Sequence, residues 1–150
     1  MNATMSLPAV LPLTRTEVES AVRSYWNISA SKQADRQQDC YAENALIFTS
    51  SSRRVEPGRL VLVRRRREYM AASGKMKVDV GHIDVEVIGA NAAVAVYTMQ
   101  LEADKQLAPA VARSRVSEEH LKDARVTHIF IRQNDGRLKI VHEHISVPDA

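Results

Sequence analysis

Three of the chain's five histidines, His128, His142 and His144, lie close together near the C-terminus, with Glu143 between the last two. They fall in two runs rich in β-branched and aromatic residues, one on each side of Asn134-Asp135-Gly136, a strong hairpin signal. With Asp135-Gly136 as a two-residue turn, His128 faces Glu143 and Phe130 faces Val141. Side chains alternate along a strand. Val126, His128, Phe130, Val141, Glu143 and Ile145 therefore share one face, and Arg125, Thr127, Ile129, Ile140, His142, His144 and Ser146 the other. A carboxylate opposite an imidazole orients the ring and suits it to general acid/base work near neutral pH. The same pair can also serve as a structural cross-strand ion pair. A one-residue slip at a bulged turn would set His128 against His142 instead.

Other residues that can do chemistry are less well supported. His142 and His144, spaced i, i+2, can chelate a metal with a third ligand. No third ligand is evident on their face, and Thr127 and Ser146 point to a hydrogen-bonded polar layer, so no metal is expected. Nothing around Cys40 lowers a thiol pKa, and it reads as a small buried hydrophobe. Asp35 is a candidate carboxylate at a cavity rim or a solvent-facing residue. The run Arg64 to Arg67 lacks interleaved aromatics, so it reads as a solvated face or subunit contact rather than a nucleic-acid site.

The elements that must position these residues follow in order. Thr14 or Thr16 can cap the first helix, and Glu17 lies at the right offset from Thr14 for a capping box. Val18, Val22, Tyr25 and Trp26 then form one apolar helical face. A short second helix is expected from about Ser31 to Tyr41, then a strand from Ala45 to Ser50. A third helix is expected from about Arg59 to Ala72, ended by Ser73-Gly74. Lys75 to Ile88 alternates as a strand, with a phase slip at Gly81-His82 that implies a bulge. Ala92 to Glu102 is nearly all apolar and reads as a central strand. Asp104 to Lys122 is a long polar segment, either a lid or an extended hairpin end. Helices first and an antiparallel sheet after them mean α+β: a helical layer over a curved sheet, which leaves a cone with a pocket.

Composition narrows the classes. At 150 residues, 45% hydrophobic and 26% charged, the chain is long enough for one domain with its own core. A net charge of +3 favours acidic partners only weakly. One cysteine rules out an internal disulfide framework and fits a reducing compartment. No apolar run reaches the roughly 18 residues of a membrane span. Residues 1–13 lack a signal-peptide pattern and read as a flexible leader, leaving 14–150 as one domain in a cytoplasmic protein.

The ending Asp135-Gly136-Arg-Leu-Lys-Ile-Val-His-Glu-His-Ile-Ser-Val-Pro148 resembles the Asp-Gly-Lys-Trp-x-x-Val-His-x-His-x-Ser ending of one branch of the nuclear transport factor two-like, or SnoaL-like, superfamily. That branch includes the association (hub) domain of calcium/calmodulin-dependent kinases. Tyr41-Ala-Glu-Asn-Ala-Leu-Ile-Phe, Val55-Glu56 and Val96-Tyr97 agree in place. The resemblance implies a cone-shaped α+β barrel, in which three N-terminal helices cover a curved mixed or antiparallel sheet. It departs where the hub domains carry pocket arginines, since Met99, His128 and Ile145 stand there. It puts the His128 face on the cavity side and His142 and His144 on the outer sheet face.

The implied function is cofactor-free proton transfer on a small, apolar, ring-bearing molecule by an isomerase, cyclase or dehydratase. His128 would be the base, Glu143 its orienter or the partner acid, and Tyr97 a phenol donor to a developing oxyanion. Tyr25, Trp26, Met99, Phe130, Val141 and Ile145 would line the pocket. The alternative is a non-catalytic ligand-binding or self-association module resembling the kinase hub. Either way a homodimer or higher homo-oligomer through the sheet is expected, with neither nucleic acid nor membrane as partner.

Overall fold

The computed structural model describes residues 11–48, 56–58, 75–103 and 120–148. Helix α1 (Arg15–Ala30) opens on the expected capping box: Glu17 N–H donates to Thr14 Oγ1 at 3.2 Å, and Thr14 N–H donates to Glu17 Oε2 at 3.1 Å. Its apolar face is buried through Val18, Val22, Tyr25 and Trp26. The core begins one residue before the helix cap, because Leu13, placed above in the leader, is itself buried. Lys32, at a φ of 59°, breaks the chain between α1 and α2 (Ala34–Asp39). Helix α2 is shorter than the expected span, and Tyr41 belongs not to it but to the first strand.

That strand, β1 (Tyr41–Phe48), also starts earlier than its sequence suggests. After it come the two-residue β2 (Glu56–Pro57), then β3 (Met76–Val87), β4 (Ala92–Ala103), β5 (His120–Arg132) and β6 (Leu138–Ser146). They form one mixed sheet in the order β2-β1-β6-β5-β4-β3, with β1 and β6 parallel and the other neighbours antiparallel. This is the expected α+β cone, helices over a curved sheet. Two helices stand among the described residues. The expected third helix and the Arg64–Arg67 run lie outside them, as do residues 104–119.

Strand β4, expected to be central, is an interior strand next to the β3 edge, and its side chains alternate. Ala93, Ala95, Tyr97, Met99 and Leu101 are buried on its inner face, opposite α1. The expected bulge in β3 is present as a register shift between Val80 and Ile83. It falls at Gly81, where an added Cβ would stand 3.1 Å from Thr98 Oγ1 and 3.2 Å from the Thr98 carbonyl oxygen, closer than side-chain carbons normally come.

The β5–β6 hairpin departs from the expected register twice. Its loop has three residues, Asn134 to Gly136, closed by Gln133 N–H to the Arg137 carbonyl at 2.8 Å. Gly136 takes a φ of +85°, the left-handed position that ends such a loop. Phe130 therefore pairs with Ile140, not with Val141. A bulge at Val141 then adds one residue to β6 and restores the pairing of Ile129 with His142 and of His128 with Glu143. Ile140 and Glu143, three apart and on opposite faces of any regular strand, are consequently both fully buried.

Candidate functional site

His128 and Glu143 are directly opposed and expose none of their surface, 0% each. His128 Nε2 and Glu143 Oε2 are 2.7 Å apart. A charge removed from water needs its partner and further hydrogen bonds. Here Glu143 Oε2 also accepts from the Tyr41 hydroxyl at 2.8 Å, and Tyr41 meets the Tyr25 hydroxyl at 2.5 Å. On the other side of the ring, His128 Nδ1 lies 3.1 Å from the Tyr97 hydroxyl, which accepts from Trp26 Nε1 at 2.7 Å. Gln37 Nε2 closes the far end, donating to Tyr25 at 3.3 Å and to Ser29 Oγ at 2.7 Å. Gln37 Oε1 is buried with no hydrogen-bond partner among the described residues.

The members come from six elements of the fold. Tyr25 and Trp26 are neighbours on the buried face of α1, Gln37 is the buried residue of α2, and Tyr41 begins β1. Tyr97, His128 and Glu143 sit on the inner face of β4, β5 and β6. Tyr25, Tyr97 and Phe130 box the imidazole edge to face, with ring centroids 5.2, 5.7 and 5.6 Å from it. The result is one polar chain through an otherwise apolar core. Such a chain can hold an imidazole in one tautomer and move protons along it.

The architecture has many relatives. The SnoaL-like domain family matches residues 18–150. The chain belongs to this family. Solved structures of NTF2-like proteins share its fold at low identity. An NTF2-like protein of unknown function from Pseudomonas putida has a TM-score of 0.71 at 17% identity, covering 90% of this chain and 87% of its own. A proposed dehydratase of the NTF2-like family from Streptomyces avermitilis has a TM-score of 0.72 at 16% identity, covering 90% and 96%. A Xanthomonas campestris protein, assigned provisionally as a calcium/calmodulin-dependent protein kinase II association domain, has a TM-score of 0.68 at 21% identity, covering 99% and 97%. No protein of curated function matches significantly.

Within this SnoaL-like domain the expected site residues divide. His128, Glu143 and Tyr97 are in one hydrogen-bonded chain. Tyr25 and Trp26, expected as lining, are members of that chain. Met99, Phe130 and Ile145 are buried on the same inner face. Val141 is the half-buried bulge residue, and Ile140 takes the inward place expected for it. Tyr41 and Gln37 were missed. Tyr41 is the start of a strand, not the end of a helix. Gln37 carries no sequence signal beyond its place on α2.

The remaining candidates lie elsewhere. His142 and His144 are on the outer sheet face. His142 Nδ1 donates to the Leu46 carbonyl at 3.0 Å, and the His144 ring stands 5.7 Å from Phe48. Asp35 is exposed. Cys40 is half-buried with its Sγ directed at the Arg36 carbonyl, and burial pushes its thiol pKa up, which keeps it protonated and unreactive at neutral pH. Two surface clefts, of about 320 and 240 Å³, open beside α1 and α2, and neither is lined by a residue of the buried chain. No helix among the described residues is long and apolar enough to cross a membrane.

Proposed function

We propose that this SnoaL-like protein binds a small, uncharged, ring-bearing molecule and catalyses cofactor-free proton transfer on it, as an isomerase, cyclase or dehydratase. The observation that carries this reading is the sealed His128–Glu143 pair at 2.7 Å with a phenol, Tyr97, at 3.1 Å from the other ring nitrogen. His128 is the base, and Glu143 orients its ring and carries the counter-charge. Low dielectric around the pair strengthens both effects. The surrounding Met99, Phe130 and Ile145 favour an apolar ligand. The Streptomyces relative's proposed dehydratase activity is in keeping with this class.

The test uses 2-tetralone, an uncharged bicyclic ketone with acidic C–H bonds, incubated with the chain in D2O. Mass spectrometry should detect deuterium uptake above the buffer rate, lost on Glu143→Gln. Uptake at the buffer rate counts against the proposal.

A second reading has its own observation. Leu46 and Val96 lie on the outer sheet face, 50% and 46% exposed, beside the partly buried Val94 and Ile129. Such an apolar face suits self-association through the sheet, as expected from the sequence. The Xanthomonas relative, assigned provisionally as an association domain, fits that role. The two readings are compatible.

A further inference from the structure

We infer that the cleft between the outer face of α1 and α2 binds a small soluble phosphate monoester, clamped by Arg23 and Arg36. The site shares no residue with the buried His128–Glu143 chain and stands independently of the acid/base reading.

Local sequence builds the cleft. Ser20, Ser24, Asn27 and Ser31 recur at helical spacing on the face of α1 turned away from the buried Val18, Val22 and Tyr25. The chain then reverses at Lys32, whose φ is 59°. Gln33 N–H donates to the Ile28 carbonyl at 3.3 Å and ties the start of α2 to the last turn of α1. The fold-back leaves a cleft of about 320 Å³, lined by Arg23 from α1 and Arg36 from α2.

The positive charge in this cleft is uncompensated. The other charged side chains of α1 are paired, Arg15 with Glu19 at 3.4 Å and Glu17 with Arg132 at 2.8 Å. Arg23 has no carboxylate partner among the described residues, and no carboxylate lines the cleft. Arg36 Nη1 donates to Gln33 Oε1 at 2.8 Å, a neutral acceptor that holds the guanidinium without cancelling its charge. The neighbouring cleft of about 240 Å³ shares Ile28 and Arg36 but is balanced. Asp39 lines it, Arg137 is paired with Asp135 at 3.1 Å, and the Lys139 ammonium donates to the Asp39 carbonyl. An anion therefore belongs between Arg23 and Arg36.

The donor set selects the anion. One guanidinium fork already satisfies a carboxylate. A phosphate monoester carries close to two charges at neutral pH and three terminal oxygens, which suit two forks with the Ser20 and Ser24 hydroxyls and the Asn27 amide beside them. Ile28 is the single apolar side chain in the lining, and no aromatic ring is present, so nothing there stacks a base or holds an acyl chain. The carbonyls of Asn27, Ile28 and Ser29 in the last turn of α1 already accept from Ser31, Gln33 and Lys32 N–H, which lessens their repulsion of an anion.

The test is 1H–15N NMR of the full chain in low salt at about pH 7.5, titrated with glycerol 3-phosphate. Amide shifts should cluster within residues 20–36 and saturate with a Kd of about 1 mM or below. Arg23→Gln and Arg36→Gln should each weaken binding about tenfold. Both residues are exposed, so neither substitution threatens the fold. Arg15→Gln makes the same charge change on α1 outside the cleft and should stay within about twofold. Equal weakening by Arg15→Gln means general charge attraction and overturns the site, as does no saturation by about 10 mM. Acetate binding as tightly as glycerol 3-phosphate overturns the choice of phosphate. Sedimentation with phosphatidylcholine vesicles holding about one-tenth phosphatidic acid, without binding of glycerol 3-phosphate, assigns the cleft to a lipid headgroup and overturns the soluble ester.

Discussion

The Tyr41 hydroxyl donates to Glu143 Oε2 at 2.8 Å, joining two residues 102 apart in sequence. Glu143 therefore depends on β1 as well as on its hairpin partner, and the parallel β1–β6 pairing is what brings them together. Tyr41→Phe should destabilise the fold by about 1–3 kcal/mol, because it removes a buried donor to a carboxylate. Tyr25→Phe should cost less, and the double substitution less than the sum of the two, because the hydroxyls act in series. Urea denaturation of the four proteins measures this coupling.

Breaking the buried pair should cost more. Glu143→Ala leaves the His128 ring without its partner and opens a cavity. The expected loss is roughly 3–5 kcal/mol. Glu143→Gln keeps the shape and a hydrogen-bonding oxygen and should lose clearly less. Denaturation midpoints of the two variants should differ in that order, and equal midpoints would show that the hydrogen bond retained by Gln contributes nothing.

Glu17 makes the fold sensitive to acid. The backbone N–H of Thr14 holds its carboxyl below the ordinary 4.5, with Arg132, 2.8 Å away, adding to the effect. A depressed folded-state value means that the stabilisation is present above the ordinary value and is lost as pH falls through the folded one. Glu17→Ala should therefore flatten the fall in stability between about pH 5 and pH 3, as well as lowering stability at pH 7. Melting temperatures across that range measure both effects.

Gly136 sits at a φ of +85° in the three-residue hairpin loop. Gly136→Ala meets no steric clash in the surrounding space, so its cost is backbone strain alone, on the order of 1 kcal/mol. Thermal unfolding should show that loss without any change in the association state.

The outer face offers the contrasting experiment. Val96→Lys with Leu46→Lys places two charges on the exposed apolar patch and should leave the monomer folded. If the sheet face mediates self-association, light scattering will show the unmodified chain larger than a monomer and the variant as a monomer. An unchanged assembly would move the interface elsewhere.

Much of this protein is legible in its sequence where the signal is local. The Thr14–Glu17 capping box, the apolar stripe of α1, the bulge near Gly81 and the alternation that separates His128 and Glu143 from His142 and His144 each depend on residues a few positions apart. The resemblance in the last strand supplied the fold. The pairing of His128 with Glu143 was reached with the wrong turn. The loop is one residue longer than expected, and the bulge at Val141 restores the register. Neither feature has a local signature strong enough to read, since a three-residue loop and a two-residue turn can share the same Asn-Asp-Gly.

Tertiary structure alone decided the rest. Burial turned an opposed pair into a seven-residue polar chain, because a carboxylate and an imidazole removed from water must find further partners. Those partners, Tyr41, Tyr25, Trp26 and Gln37, come from elements whose contacts with the hairpin no spacing encodes. The same burial closed the His128 ring off from solvent, because strands from both sides and helix α1 pack over it in a way no local spacing announces.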